Sequence, residues 1–199
     1  DAPEFYQFLF EKTKEDFAND HLFEQNDIIK IRENSFEQIV KELQIYNLST
    51  TSDDVKGIAF EKFLGRTFRG ELGQFFTPRT IVEFMVSVLD PQEGEYICDP
   101  CCGSGGFLLY ALNKVRDKAT ELYPNYSKDV RQYDRWHKYW HDFAEKNLFG
   151  IEISEQISRA AKMNMIIHDD GHTNVITSDG LVSDETIIAK TNNQGFKYG

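Results

Sequence analysis

Hydrophobic and polar positions along the chain follow a pattern that predicts short strands separated by helices. Short apolar runs that end in an acidic residue or a polar turn predict strands over about 95–99, 147–152 and 174–177. After the first two runs, apolar residues recur every three or four positions, which is typical of a helix packed on a sheet. The pattern therefore predicts an α/β domain from about residue 54, with parallel strands and ligand-facing loops at their carboxyl ends.

The first part of the chain shows helical periodicity without strands. The polar stretch 47–53 is its best linker candidate. Two sets of apolar residues predict helices there: Phe5, Phe8, Leu9 and Phe10, then Phe36, Ile39, Val40 and Leu43 within about 27–46. We therefore divide the chain into a helical N-terminal segment, residues 1–52, and the α/β part, residues 53–199.

The segment after the first predicted strand, DPCCGSGGF over residues 99–107, carries the clearest chemical signal. Asp99 ends the strand, and three glycines follow within four positions before an apolar helix begins. Glycines let the backbone approach a ligand closely, and the free N–H groups of the new helix face that ligand. An ordinary strand-to-helix turn explains the glycines but not the preceding acid. The dinucleotide-binding pattern does not fit, because its first glycine follows the strand almost at once.

Acidic residues also follow the other two predicted strands. Glu152 ends the second strand, and Ser154 is the candidate N-cap of the next helix. A carboxylate at that place in a doubly wound sheet can accept hydrogen bonds from both hydroxyls of a ribose. Asp179 follows the third strand, although Asp-Gly turns are also common for local reasons. Each acid alone would be interpreted as a loop residue, but with Asp99 they outline one ligand site.

A further candidate segment, GQFFTPR over residues 73–79, lies ahead of the glycine loop. The pattern predicts Thr77 as an N-cap and Pro78 as the first residue of a helix with an apolar face. Capping explains those two residues without any ligand. It does not explain two consecutive aromatic residues in an otherwise polar turn.

Together these motifs resemble those of a known enzyme family. Residues 99–107 resemble the D-P-x-x-G-S-G-x-F motif of S-adenosylmethionine-dependent amino methyltransferases. Residues 73–79 resemble the G-x-[FY]-[FY]-T-P-R element of N6-adenine DNA methyltransferases. The order of the two motifs, with a helix-like segment at 54–64, is similar to that in methylation subunits of type I restriction–modification systems. The resemblance covers about residues 53–181 and implies an α/β, Rossmann-like S-adenosylmethionine-dependent methyltransferase fold, present in part.

The resemblance implies S-adenosylmethionine as the cofactor. In this family the glycine loop bends around the methionine part, whose ammonium group needs a carboxylate nearby. The acid after the second strand holds the ribose, and the acid after the third accepts from the adenine amino group. The implied cofactor-binding residues are Gln74, Phe75, Phe76, Thr77, Pro78, Arg79, Asp99, Gly103, Ser104, Gly105, Gly106, Glu152 and Asp179.

One family motif has no counterpart in the sequence. The target adenine is handled in this family by an Asn-Pro-Pro-Phe/Tyr motif after the fourth strand, and residues 1–199 contain no such motif. The sequence ends about where that strand is expected. We therefore expect the chain to hold the cofactor half of the site, with the Asn-Pro-Pro-Phe/Tyr motif beyond Gly199. We expect no catalytic residue within residues 1–199 and no activity from these residues alone.

Composition bears on partners and location. The formal net charge of −11 is unfavourable for a phosphate-binding surface, so we expect DNA contact only through the complete complex with a specificity and a restriction subunit. No apolar run is long enough to span a membrane, and the three cysteines, all near the glycine loop, lack a pairing framework. These features favour a cytoplasmic protein. His137 and His141 lie in an aromatic-rich segment, for which we favour a packing helix over a metal site.

Two other functions remain open at this point. A methyltransferase of the same fold could act on a protein glutamine or on RNA, against which the aromatic T-P-R element argues. Alternatively, the chain could be a non-catalytic module in which S-adenosylmethionine binding or the helical N-terminus serves only assembly.

Overall fold

The computed structural model describes residues 3–18, 22–47, 51, 55–56, 59–60, 62, 76–169 and 174–190. It divides into two compact units, residues 1–61 and 62–199. The boundary predicted between residues 52 and 53 stays a prediction, because residues 52–54 lie outside the described part of the chain.

Between residues 3 and 47, the described part of the first unit contains the helices α1 (Glu4–Asp16) and α2 (Glu33–Leu43). The segment between them is tied back to α1 by the Gln7 side chain, which donates to the Ile29 carbonyl at 3.0 Å and accepts from the Ile29 N–H at 3.3 Å. The rings of Tyr6 and Phe36 pack edge to face, 4.7 Å apart. Both predicted helices are therefore present. The second, Glu33–Leu43, lies within the range 27–46 predicted for it, and the Gln7 bonds tie the preceding segment to α1.

The second unit alternates helices and short strands. In chain order its elements are α3 (Arg79–Leu89), β1 (Ile97–Asp99), α4 (Gly106–Leu122), α5 (Val130–Lys146), β2 (Leu148–Glu152), α6 (Glu155–Ile167), β3 (Val175–Thr177) and α7 (Asp184–Ile188). The three strands are parallel in the order β1-β2-β3. Each lies where the apolar runs predicted it, with its ends shifted by at most two residues.

Side chains of β2 alternate between two apolar clusters, one on each face of the sheet. Leu148 belongs to the larger cluster, formed with residues of α4, α5 and α6, while Phe149 and Ile151 join Ile187 of α7 in the smaller one. Gly150 lies on the side of the larger cluster, where an added Cβ would come within 2.7 Å of Leu108 Cδ1. Glycine at this position therefore lets α4 pack directly against the sheet.

Helix α5 uses its aromatic rings for packing, as predicted. Trp140 and Phe143 are buried in the larger cluster, and Trp136 packs against it. The Trp136 indole N–H donates to Thr120 Oγ1 at 3.0 Å, which ties α5 to α4. The stacked rings of His137 and His141, 4.6 Å apart, lie on the same helix.

The capping predictions gave one wrong and one correct result. Helix α3 begins at Arg79, not at Pro78, and Thr77 does not cap it. The backbone of Pro78 is extended (ψ 133°), and its carbonyl accepts the N–H groups of Ile81 and Val82, so the proline itself is the N-cap. Ser154 caps α6 as predicted, because its side chain accepts from the Ile157 N–H.

Several predicted features fall outside the described residues. Of the helix expected over 54–64, residues 55–56, 59–60 and 62 are described and are helical. Gln74, Phe75, most of the linker 47–53 and everything after residue 190 are outside the description. In the described ranges, the helices are too short or too polar to cross a bilayer.

Candidate functional site

The carboxyl ends of β1 and β2 bring two predicted site residues together. Asp99 is the last residue of β1 and pairs with Gly150 of β2, so Glu152 extends two residues beyond it on the neighbouring strand. Parallel strands end at the same edge of a sheet, and the following loops enclose a crevice there. Asp99 and Glu152, which are far apart in sequence, therefore lie close together at the same edge of the sheet.

The glycine loop after β1 has an anchored side and an open side. Gly103 and Gly105 have φ angles of 54° and 83°, a left-handed conformation that glycine adopts without strain. A Cβ on Gly105 would touch Met165 and Ala161 of α6 at 3.7–3.8 Å. A Cβ on Gly103 or Gly106 would meet no described atom within 4 Å. The loop therefore rests on α6 while Gly103 and Gly106 border open space.

Glu152 joins the second strand to this loop. Its Oε2 accepts the Gly103 N–H at 3.2 Å, and its Oε1 accepts the Ser154 N–H at 2.8 Å. The residue is only 8% exposed. A carboxylate has about four acceptor positions, so these two bonds leave about two positions for further donors. Glu152 thus supports the glycine loop and still has acceptor positions available at the crevice.

Asp99 lies in an environment that disfavours its negative charge. Burial is the main cause that raises the pKa of its carboxyl, and the negative charge of Glu152 raises it further. The Cys101 N–H, which donates to Asp99 Oδ1 at 3.1 Å, acts in the opposite direction. An arriving cation would relieve this electrostatic cost, so the pair of acids favours a positively charged ligand.

Cys98 and Cys102 beside the loop remain protonated near neutral pH. Burial, assisted by the charge of Asp99, raises the pKa of Cys98 to about 11. The pKa of Cys102 is also raised, mainly by burial. A neutral thiol is a poor nucleophile and metal ligand. Within the described ranges, no group of three or more His, Cys, Asp or Glu side chains is arranged to hold a metal ion.

Asp179 reaches the same edge of the sheet through the loop after β3. The Asp179 carboxylate accepts the Leu181 N–H at 2.9 Å. This bond forms the local Asp-Gly turn that the sequence offered as an alternative to a ligand-binding role. Gly180 packs so closely on Pro100 that a Cβ there would overlap the Pro100 carbonyl oxygen. This contact brings the third-strand loop against the first. Asp179 itself is exposed.

Four of the remaining predicted residues, 76–79, lie at the start of α3. Phe76 and Arg79 are half-buried, whereas Thr77 and Pro78 are exposed. Helix α3 packs against α4, the helix that follows the glycine loop. Contact between this segment and the loop stays a prediction, and Gln74 and Phe75 are not described.

Sequence reasoning missed one residue that touches the loop. Asn164 of α6 donates from Nδ2 to the carbonyl of Ser104 at 2.9 Å, across 60 positions of sequence. A signal was available, because Asn164 falls at helical spacing among Ile157, Ala161 and Met165, all buried. A polar residue on the buried face of a helix requires a partner.

Comparison with known proteins assigns the family. The family model described as N-6 DNA Methylase matches residues 51–196. The type II restriction enzyme and methyltransferase RM.BcgI of Heyndrickxia coagulans is 30% identical over 142 residues, 70% of this chain and 20% of that protein. The EcoEI methylase subunit of a type I restriction enzyme of Escherichia coli is 30% identical over 133 residues, 66% of this chain and 24% of that protein.

A solved structure supports the same assignment. A protein from Vibrio vulnificus YJ016, described as a modification subunit of a type I restriction enzyme, aligns with a TM-score of 0.55 at 25% identity, over 80% of this chain and 30% of that chain. The methyltransferase fold class is thereby confirmed. The chain spans only about a fifth to a quarter of the length of the two curated relatives above. On the family-model match, the chain belongs to the N-6 DNA methylase family.

Proposed function

We propose that this chain is the S-adenosylmethionine-binding part of an adenine-specific DNA methyltransferase of the type I restriction–modification kind. The observation that carries the proposal is the bond from the Gly103 N–H to the Glu152 carboxylate, which joins the glycine loop and the second-strand acid into one crevice. The relatives cited above, which are named methylase and modification subunits, support the same proposal.

The chemistry of the crevice fits this cofactor. S-adenosylmethionine carries positive charge on its sulfonium and ammonium groups, and Asp99 lies where burial and Glu152 disfavour an uncompensated negative charge. The remaining acceptor positions of Glu152 suit the two hydroxyls of a ribose. Gly103 and Gly106, with open space beside their α-carbons, would allow close approach of the methionine part.

Each group has a distinct role in the proposal. Asp99 would face the ammonium group, Glu152 the ribose and Asp179 the adenine amino group, with residues 74–79 and 103–106 closing around the cofactor. When bound, S-adenosylmethionine supplies a methyl group on a positively charged sulfur. The protein contributes position and charge, which lower the barrier without covalent participation. We name no catalytic residue within 1–199.

The charge of the chain bears on its partners. With a formal net charge of −11, the chain is poorly suited to hold duplex DNA by its phosphates. We therefore propose that DNA binding depends on the complete complex, in which a specificity subunit and a restriction subunit join the methylase. In the same proposal the complex acts on the target adenine in DNA in the cytoplasm.

Methyl transfer from labelled S-adenosylmethionine tests the proposal. The protein at its full natural length, with its specificity subunit, should bind the cofactor in calorimetry and place the label on N6 of adenine in DNA. Identification of the labelled nucleoside distinguishes this product from others. If the label were found in RNA or on a protein glutamine instead, the proposed substrate, adenine in DNA, would be wrong. Cofactor binding without any transfer would indicate an assembly module, and no cofactor binding would overturn the proposal entirely.

A further inference from the structure

We infer that Asn164 is a positioning residue for the cofactor loop, holding the peptide between Ser104 and Gly105 in the orientation that binding requires. The inference rests on the proposed function, because it concerns the same crevice. Asn164 belongs to α6 and would not itself touch the cofactor. Its action passes through the carbonyl of Ser104.

The peptide between Ser104 and Gly105 is held at both of its polar groups. Its carbonyl accepts from Asn164 Nδ2 at 2.9 Å, and its N–H donates to the Cys102 carbonyl at 2.8 Å. The two glycines next to Ser104 are both left-handed, and glycine has more alternative backbone conformations than any other residue. Without the amide of Asn164, the short-range bond to the Cys102 carbonyl would be the peptide's one remaining hydrogen bond among the described residues.

The orientation of the Asn164 amide follows from this contact. If the amide were rotated by half a turn, its oxygen would face the carbonyl oxygen of Ser104, and two acceptors would oppose each other. The nitrogen must therefore point to the loop. In this arrangement Asn164 Oδ1 is buried and has no hydrogen-bond partner among the described residues.

That buried oxygen indicates what the amide is for. Asn164 is only 5% exposed, and a buried acceptor without a partner lowers stability relative to an apolar side chain of similar size. An aliphatic residue at this position of α6 would avoid that cost but would leave the Ser104 carbonyl without its bond from Asn164. The presence of an amide at this position is explained if its bond to Ser104 is needed for the shape of the loop.

A chain of contacts holds the backbone of Asn164 in place. Its backbone carbonyl lies 2.7 Å from His168 Nδ1, and the His168 carbonyl accepts from the Arg116 guanidinium at 2.7 Å. The guanidinium in turn lies 4.3 Å from the centre of the Trp140 ring. These contacts join the end of α6 to α4 and α5. The Asn164 amide therefore connects the Ser104 carbonyl to three packed helices.

Asn174 offers a matched control. It is also an asparagine whose Nδ2 donates to backbone carbonyls, those of Ala144 at 3.2 Å and Glu145 at 2.8 Å. It precedes β3, at the amino end of the strand, opposite to the edge that carries the crevice. Replacement of Asn174 removes the same kind of bond without touching the glycine loop.

The test compares Asn164→Asp and Asn164→Ala with Asn174→Ala in the full-length protein. We expect the dissociation constant for S-adenosylmethionine to rise about 3- to 10-fold in the Asn164 variants, because they lose a half-buried hydrogen bond. Asn174→Ala should leave it within about 2-fold of wild type. For Asn164→Asp the ratio to wild type should shrink at lower pH, because a protonated carboxyl can again donate to Ser104.

Two further measurements separate positioning from stability. Urea unfolding without cofactor reports the stability of each variant, and amide hydrogen exchange in the peptide covering residues 99–112 reports the loop. Exchange there should accelerate in the Asn164 variants but not in Asn174→Ala. The Ala variant introduces no charge, so it keeps the test valid if Asn164→Asp fails to fold.

The outcomes distinguish this inference from the proposed function. Suppose that wild type binds the cofactor and that, across the Asn164 and Asn174 variants, the loss of affinity follows the loss in free energy of unfolding. Asn164 is then a structural residue and the inference is wrong. If wild type does not bind S-adenosylmethionine, the proposed function fails and the inference fails with it.

Discussion

Replacement of Glu152 by glutamine is the sharpest single test of the crevice. The side chain keeps its size but exchanges a carboxylate for an amide, which has one acceptor oxygen instead of two. At present the two oxygens accept the N–H groups of Gly103 and Ser154 at 3.2 and 2.8 Å. In Glu152→Gln, one of these N–H groups must face the amide nitrogen and lose its partner.

The expected magnitudes follow from these bonds. A hydrogen bond to a charged group contributes about 1.5–3 kcal/mol, so losing one lowers the free energy of unfolding by about that amount. Part of the loss is recovered, because the negative charge of Glu152 no longer opposes ionisation of Asp99. For S-adenosylmethionine, loss of a charged ribose acceptor should raise the dissociation constant about 10- to 100-fold.

Three measurements on the full-length protein check the argument. Calorimetry gives the affinity for the cofactor, denaturant unfolding gives stability, and carbon-13 NMR titration follows the carboxyl of Asp99. The pKa of Asp99 should fall toward its ordinary value in Glu152→Gln. Glu155→Gln is the control, since its side chain is 69% exposed and pairs with Arg159 on the surface of α6.

The results that would refute this reasoning are specific. An unchanged affinity in Glu152→Gln would remove Glu152 from the proposed cofactor site. An unchanged pKa of Asp99 would show that the two carboxylates are not coupled, against the geometry of β1 and β2. An equal loss of affinity in Glu155→Gln would show that the effect is general charge, not the crevice.

Two further predictions concern the loops and the acid pair. Gly180→Ala should lower the free energy of unfolding by about 1–3 kcal/mol, because its Cβ would overlap the Pro100 carbonyl oxygen, whereas Gly94→Ala, with no described atom within 4 Å of the added Cβ, should change it by less than about 1 kcal/mol in urea titrations. Equal effects would contradict the packing of the third-strand loop on the first. Because the folded-state pKa of Asp99 is raised, ionisation disfavours the folded state, so stability should fall as pH rises from the unfolded pKa through the folded pKa. Asp99→Asn should remove that fall in stability, and calorimetry should find that the cofactor affinity of wild type rises over the same pH range. If the difference in free energy of unfolding between wild type and Asp99→Asn does not change with pH, the raised pKa of Asp99 does not affect stability.

The strands and the position of the site could be predicted from local pattern. Each strand is a short apolar run that ends in a polar residue, and the order of elements along the chain gives parallel pairing. Because parallel strands share an edge for their carboxyl ends, placing Asp99 and Glu152 together needed no tertiary information. The Asp-Gly turn of Asp179 likewise follows from local chemistry.

Features that depend on long-range contact could not be predicted in this way. Whether Thr77 or Pro78 is the N-cap of α3 depends on one backbone angle, which short-range preferences do not determine. The need for glycine at position 180 comes from Pro100, 80 residues earlier in the chain, and nothing local to Gly180 indicates it. Asn164 is intermediate, since its position on a buried helix face required a partner but did not identify Ser104.

The acid pair connects the stability of the domain to its proposed chemistry. For Asp99, the charges that shift the carboxyl pKa in the described part of the chain are negative, since Glu152 adds to the effect of burial and only the Cys101 N–H opposes it. Asp99 is half-buried, and a charge that is partly removed from water without a compensating charge costs free energy on folding. The cost is explained if the compensating charge arrives with a ligand, which would then bind more tightly by the amount of strain it relieves. On this argument, mutations that stabilise the free domain by neutralising Asp99 should weaken S-adenosylmethionine binding, and the two effects should appear over the same range of pH.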